Sequence, residues 1–214
     1  MFILDNKKLV FPPVFLANMD GLLAAGGDLS VKRLKLAYEN GIFPWYDDTK
    51  VILWWAPDPR MVLFPNEIKI SKSMRSIIRK KTYRITENKA FDQVITYCSQ
   101  VPRKDQEGTW LHDEMIQAYK NLHQAGLAFS IEVWNQQDEL VGGLYAVQTR
   151  PDIISGESMF HLAPNTSKLA YIHLAQKAQK EGIKLIDCQL YTDHLASLGA
   201  REIPREDFMK FFEK

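Results

Sequence analysis

From residue 128 to residue 188 the chain changes its hydrophobic period in an order that few architectures accept. Residues 128–134, AFSIEVW, alternate in polarity and are rich in aromatic and β-branched side chains, the pattern of a half-buried strand. The polar turn NQQDE leads to a second strand, 140–148, LVGGLYAVQ. A Pro-Asp turn leads to a third, 152–160, DIISGESMF. The period then becomes helical over 166–181, and an apolar strand, IKLIDC, follows at 183–188. An antiparallel meander followed by a helix and another strand predicts a sheet with helices on its faces, an α+β (mixed α/β) fold. Gly142 and Gly143 weaken the second strand, which points to a bulge or to close approach of a ligand to the backbone.

The first part of the chain reads differently. Ser30 is positioned to cap a helix over 31–40, with Leu34, Ala37 and Tyr38 on one face and Gly41 as its terminator. Gly/Pro-rich stretches, 17–29 and 41–60, surround it and read as loops. Such a unit cannot hold a large core alone. We therefore expect a small N-terminal domain, 1–61, packed against a larger domain, 62–214. In the larger part, Ser71 can cap a helix over 72–80 carrying Met74, Ile77 and Ile78 as its apolar stripe. A further helix over 113–125 would turn Met115, Ile116, Tyr119 and Leu122 inward and end at Gly126.

Charge is distributed unevenly. The chain is nearly neutral overall, yet residues 69–84, KISKSMRSIIRKKTYR, hold seven of its 27 basic groups and no acid. These are Lys69, Lys72, Arg75, Arg79, Lys80, Lys81 and Arg84. A solvated helix ordinarily mixes signs, because opposite charges four residues apart support it. One-sided charge forgoes that support and points to a polyanionic partner.

Several chemistries are excluded by pattern. There is no Walker phosphate loop and no Rossmann glycine fingerprint, and GESMF is not a nucleophile elbow. Cys98 and Cys188 lie far apart, the five histidines show no paired spacing, and no metal or cofactor is expected. No apolar run approaches the ~20 residues that span a bilayer. The N-terminus lacks the order of a signal peptide, so a cytoplasmic protein, with nothing demanding more than a monomer, is expected.

Two acids stand out. Glu157 and Asp187 each sit toward the end of an otherwise apolar strand, where charge is rarely buried without a partner. Either each pairs with a structural arginine, or each awaits an incoming cation; composition leaves both open. The segment 41–60 holds three tryptophans, Trp45, Trp54 and Trp55, among prolines. Trp54 and Trp55 are adjacent on an extended run and should face opposite ways, with at least one serving as packing.

Taken together, these strings resemble the bacterial leucyl/phenylalanyl-tRNA–protein transferases. The resemblance is carried by GLLAAGGDLS (21–30), AYENGIFPW (37–45), LWWAPDPRMVL (53–63), EGTWLHDEM (107–115), SIEVW (130–134), LVGGLYAV (140–147), SGESMF (155–160), LIDCQ (185–189) and HLASLGAREIPR (194–205). It covers nearly the whole chain in one register.

The resemblance implies transfer of Leu or Phe, and weakly Met, from aminoacyl-tRNA to the α-amino group of proteins that begin with Arg or Lys. Such addition marks the acceptor for degradation under the N-end rule. It also implies a GNAT-like acyltransferase domain behind the small N-terminal one. By the same resemblance, Trp45 and Trp110 would hold the terminal adenine, and Leu144, Ile154, Met159 and Ile186 would line the amino-acid pocket. Glu157, Asp187 and Gln189 would form the catalytic region, with Asp187 acting through Gln189 on the attacking amine, and the basic segment would meet the tRNA acceptor arm. Leu144 stands where Met is frequent, Ile154 where a bulkier aromatic is, Phe129 where histidine is common, and His161 where serine is. The alternatives are an acyl-CoA-dependent acyltransferase and an RNA-binding module without activity. HLAPNTSK, after GESMF, lacks the phosphate turn the first would need, and the two acids argue against the second.

Overall fold

The computed structural model describes residues 1–46, 51–100 and 111–213. The N-terminal part contributes β1 (Phe2–Leu4), β2 (Leu22–Gly26), α1 (Val31–Glu39), β3 (Phe43–Pro44) and β4 (Leu53–Trp55). The chain continues with β5 (Arg60–Leu63), α2 (Lys72–Lys80), β6 (Arg84–Glu87), α3 (Phe91–Gln100) and α4 (Asp113–Gln124). The meander follows as β7 (Ala128–Trp134), β8 (Leu140–Val147) and β9 (Ile153–His161), then α5 (Thr166–Lys180) and β10 (Leu185–Gln189). The last elements are α6 (Asp193–Ser197), β11 (Arg201–Ile203) and α7 (Arg205–Met209).

The strands form two sheets. A small one has the order β1-β2-β4-β3, and a seven-stranded one has the order β11-β5-β10-β9-β8-β7-β6. In the larger sheet only β9 and β10 pair in parallel, across the α5 crossover; the other pairs are antiparallel. This is the mixed α/β architecture that the order of periods requires.

The caps form as the sequence implies. The Ser30 hydroxyl accepts the Arg33 N–H at 3.3 Å, and the Ser71 hydroxyl accepts that of Met74 at 3.2 Å. Two expectations are corrected. The stretches 17–29 and 41–60 are not all loop, because Leu22–Gly26, Phe43–Pro44 and Leu53–Trp55 are strands of the small sheet. In the first of these Leu23, Ala24 and Ala25 are buried, and it is the two small alanines and the flanking glycines that make the segment resemble a turn. The strand at 183–188 starts only at Leu185, since Ile183 still closes α5 by donating its N–H to the Ala178 carbonyl.

The two sheets share a core. Leu23, Leu34, Tyr38 and Trp54 from the N-terminal part pack in one apolar cluster with Phe91, Tyr119, Tyr145 and Phe160. α5 lies against a second cluster that includes Met61, Leu144, Ile154 and Ile186. The glycine pair of β8 is explained by protein, not by a ligand. A Cβ on Gly142 would stand 2.4 Å from the Thr166 hydroxyl, and one on Gly143 2.7 Å from the Ile131 carbonyl oxygen. Only glycine lets α5 and β7 approach β8 this closely.

Candidate active site

β10 follows β9 only as far as Asp187, which pairs with Ser155. Gln189 then takes φ 66°, and the Leu190 N–H donates to the Cys188 carbonyl at 2.8 Å, which closes a γ-turn. A non-glycine residue held this way costs about 1–3 kcal/mol and persists only where its surroundings over-determine it. Asp187 is the determinant. Its Oδ1 accepts the Gln189 N–H at 3.0 Å and the Arg60 Nε–H at 2.7 Å. Its Oδ2 accepts Arg60 Nη2 at 2.7 Å, with the Ser155 hydroxyl at 3.5 Å. Arg60 is only 1% exposed and Asp187 2%, so this is a buried bidentate pair. The guanidinium lies between the rings of Phe43 and Phe208, 4.7 Å from each centroid. Phe43 belongs to the small sheet, so the pair also ties the two sheets together.

Glu157 is built differently. The β8–β9 register slips so that Tyr145 faces Ser158 while Ala146 faces Gly156. Glu157 is therefore the extra residue of a bulge, a device that re-aims one side chain. Its Oε2 accepts the Tyr119 hydroxyl at 2.8 Å, and its Oε1 accepts Gln189 Nε2 at 2.9 Å. The Tyr119 hydroxyl is in turn 2.7 Å from that of Tyr38. No basic side chain among the described residues pairs with Glu157. Burial pushes its carboxyl up to about 7; the tyrosine and Gln189 hydrogen bonds pull it down, and the Asp187 charge pushes it further up.

The remaining predicted residues fall into three groups. Leu144, Ile154 and Ile186 are buried together in the α5-side core, and Met159, half-buried, packs on them. Trp45 is half-buried, with its ring edge-on to Trp55 at 5.5 Å, and its carbonyl accepts the Trp55 indole N–H at 2.5 Å. Trp110 lies outside the described residues; Tyr46, next to Trp45, has its ring 5.9 Å from that of His112. In the basic segment, Lys69, Lys72, Arg75, Arg79, Lys80 and Lys81 are exposed and have no ion-pair partner among the described residues. Arg84 does, donating to Asp138 at 2.7 Å above the Trp134 ring.

Of the adjacent tryptophans, Trp54 is the buried one. It donates its indole N–H to the Gly26 carbonyl at 2.8 Å and meets Phe11 edge-on.

Sequence reasoning missed three residues of the site. Arg60 left a signal, since an acid ending an apolar strand demands a cation and Arg60 opens an apolar strand of its own. Tyr119 left one as well, because a tyrosine on an inward helix stripe must find a buried partner for its hydroxyl. Tyr38 shares that signal, but nothing in the sequence pairs it with Tyr119.

Known proteins resemble this chain over nearly its whole length. Residues 62–213 match the family described as leucyl/phenylalanyl-tRNA protein transferase, and residues 27–58 match that family's N-terminal domain. A leucyl/phenylalanyl-tRNA–protein transferase of Flavobacterium johnsoniae is 55% identical over 207 residues, 97% of each chain. Its namesake in Syntrophus aciditrophicus is 53% identical over 209 residues, 98% of this chain and 87% of the relative. Solved structures are more distant. FemX aligns with 86% of this chain and 71% of its own at TM-score 0.45 and 11% identity. A GCN5-related N-acetyltransferase from Kribbella flavida aligns with 77% and 58% at TM-score 0.43 and 9% identity. By the family match over most of its length and by identity above one half to a full-length relative, the chain belongs to the leucyl/phenylalanyl-tRNA protein transferase family.

Proposed function

We propose that the protein transfers leucine or phenylalanine, and weakly methionine, from aminoacyl-tRNA to the α-amino group of proteins that begin with Arg or Lys. Acceptors so modified enter N-end rule degradation. The protein acts as a cytoplasmic monomer. No helix among the described residues is long and apolar enough to cross a membrane. The observation that carries the reading is Glu157, a half-buried carboxylate with a fixed orientation and no cationic partner among the described residues. Such a group is costly unless a cation arrives to meet it, and an acceptor with a basic N-terminal residue supplies one.

In this reading Gln189 and Glu157 orient the attacking amine, and the amine loses its proton as it attacks the ester carbonyl. The C–N bond forms, the ester C–O bond breaks, and the tRNA leaves with its terminal hydroxyl restored. An aminoacyl ester is already activated, so holding the two reactants in line supplies much of the rate. Asp187 stays out of the chemistry: neutralised by Arg60, it accepts the Gln189 N–H and so holds the turn that aims Gln189. Leu144, Ile154, Met159 and Ile186 form the amino-acid pocket, with Met159 as its accessible wall. Trp45, with Trp110, stacks on the terminal adenine, and the exposed lysines and arginines of 69–81 bind the tRNA backbone. The chain divides between β4 and β5 into the small platform domain and the transferase domain, just before the expected 61/62, because β5 pairs within the larger sheet.

The test is label transfer from Leu-tRNA to a protein or peptide that begins with Arg, without ATP or added metal. Transfer to an Arg-initiated acceptor and none to a Glu-initiated one is expected. Equal labelling of both, or of neither, refutes the reading.

A further inference from the structure

Residues 38–45 reach three parts of the site described above. Tyr38, near the end of α1, reaches Tyr119 and so Glu157. Phe43 in β3 covers the guanidinium that neutralises Asp187. Trp45 is the platform residue. The connection is tight, since the N–H groups of Asn40 and Ile42 both return to the Ala37 carbonyl at 2.9 Å.

We propose that Tyr119 and Tyr38 are positioning residues that hold Glu157 against the acceptor's cationic group, which makes the N-terminal segment carrying Trp45 a working part of the acceptor site.

The inventory of protons gives the hydrogen-bond chain a direction. Each phenol has one proton. Tyr119 gives its proton to Oε2 of Glu157, so the 2.7 Å contact with Tyr38 requires Tyr38 to donate to the Tyr119 oxygen. Both tyrosines are buried, Tyr119 completely, and burial next to Glu157 pushes their phenols well above the usual range. They therefore remain donors wherever the carboxylate is ionised. Two hydrogen-bonded phenols leave one proton over, and in a pair that served only as packing any nearby backbone carbonyl could take it. Here the chain ends on an acid that a β-bulge turns toward it and that Gln189 holds from the other side. The charged and titratable groups around Glu157 are Tyr119 from α4, Tyr38 from α1, Asp187 from β10 with Arg60 from β5 behind it, and Tyr145 from β8, whose ring is 5.2 Å from that of Tyr119. Among the described residues none is a cation free to replace the tyrosine hydrogen bonds.

The inference rests on the transfer reading, and it is tested with the full chain, Leu-tRNA and an Arg-initiated peptide. KM for the peptide and kcat are measured across the pH range around neutrality for Tyr119→Phe, Tyr38→Phe and the double variant. Loss of the Tyr119 proton should raise the peptide KM roughly tenfold at neutral pH and move the acid limb of kcat/KM to higher pH. KM for Leu-tRNA should stay the same. Tyr38→Phe should act in the same direction at about threefold, and the double variant should lose less than the product of the two single effects. If Tyr119→Phe fails to fold, Tyr38→Phe alone must still move the acid limb. Transfer by the unsubstituted protein with an unmoved acid limb in the variants, or with additive effects of the two substitutions, overturns the inference alone. Absence of transfer by the unsubstituted protein overturns the reading beneath it as well.

Discussion

Asp187 and Glu157 lie on adjacent strands and both reach Gln189, yet their surroundings differ in kind. Asp187 is 2% exposed and fully met by Arg60, so its charge is neutralised inside the protein. Among the described residues Glu157 has only neutral donors, and its carboxyl is raised to about 7. A buried acid is structural when its counter-charge belongs to the fold, and is available for function when the fold supplies orientation without charge. Burial alone does not separate the two.

The largest effect should come from breaking the structural member. Asp187→Ala or Arg60→Ala leaves the other charge buried and alone, a loss of about 3–5 kcal/mol in urea unfolding. Turnover should fall with it, because the Gln189 turn loses what holds it. Unchanged stability would place Asp187 in the functional class instead. Trp54→Ala should cost a similar 3–5 kcal/mol, again only about that much, through the cavity it opens, whereas Trp45→Ala should weaken tRNA use and leave unfolding nearly unchanged.

Glu157→Gln should do the reverse of Asp187→Ala. Acceptor kcat/KM should drop on the order of 30-fold or more, since a cation would then meet no charge. Stability should move the other way. The folded carboxyl holds its proton up to about pH 7, while the unfolded one releases it near the ordinary 4.5. Between those values the folded state binds more protons, so stability falls as pH rises, by about 1.4 kcal/mol per unit at most, and levels off above pH 7. Glu157→Gln should remove this slope and be the more stable protein above pH 7. Denaturation midpoints of both proteins across this range check it; parallel curves would erase the distinction between the two acids.

Much of this is legible in the sequence alone. Ser30 and Ser71 mark the starts of α1 and α2, and alternation locates β7, β8 and β9, because those signals are local. α3 escapes such a reading, and so do β6 and β11, short edge strands whose existence depends on their neighbours. Glu157 and Asp187 stand out by their apolar flanks, but their different fates do not. Arg60 is 127 positions from Asp187, and Tyr119 is 38 from Glu157 and 81 from Tyr38. Such pairings come from topology: β5 is added beside β10 and α4 is laid over the sheet. The bulge at Glu157 follows from the β8–β9 register, which a single strand's sequence does not contain.

The smallest effects should come from α2, where charge meets solvent and not a closed site. Lys72, Arg75 and Arg79 are exposed and unpaired among the described residues, so removing them should leave stability within about 0.5 kcal/mol. Each phosphate that the protein ceases to neutralise lowers the slope of log affinity against log salt by about 0.9 for a duplex, so replacing all three by alanine should flatten the tRNA salt dependence by up to about 3. The peptide KM should not change. Glu157→Gln has the opposite signature, a raised peptide KM with the salt slope for tRNA intact. If instead the α2 substitutions raise the peptide KM, the basic helix and the acidic site are one electrostatic unit, and the environment that sets Glu157 apart from Asp187 must extend to α2.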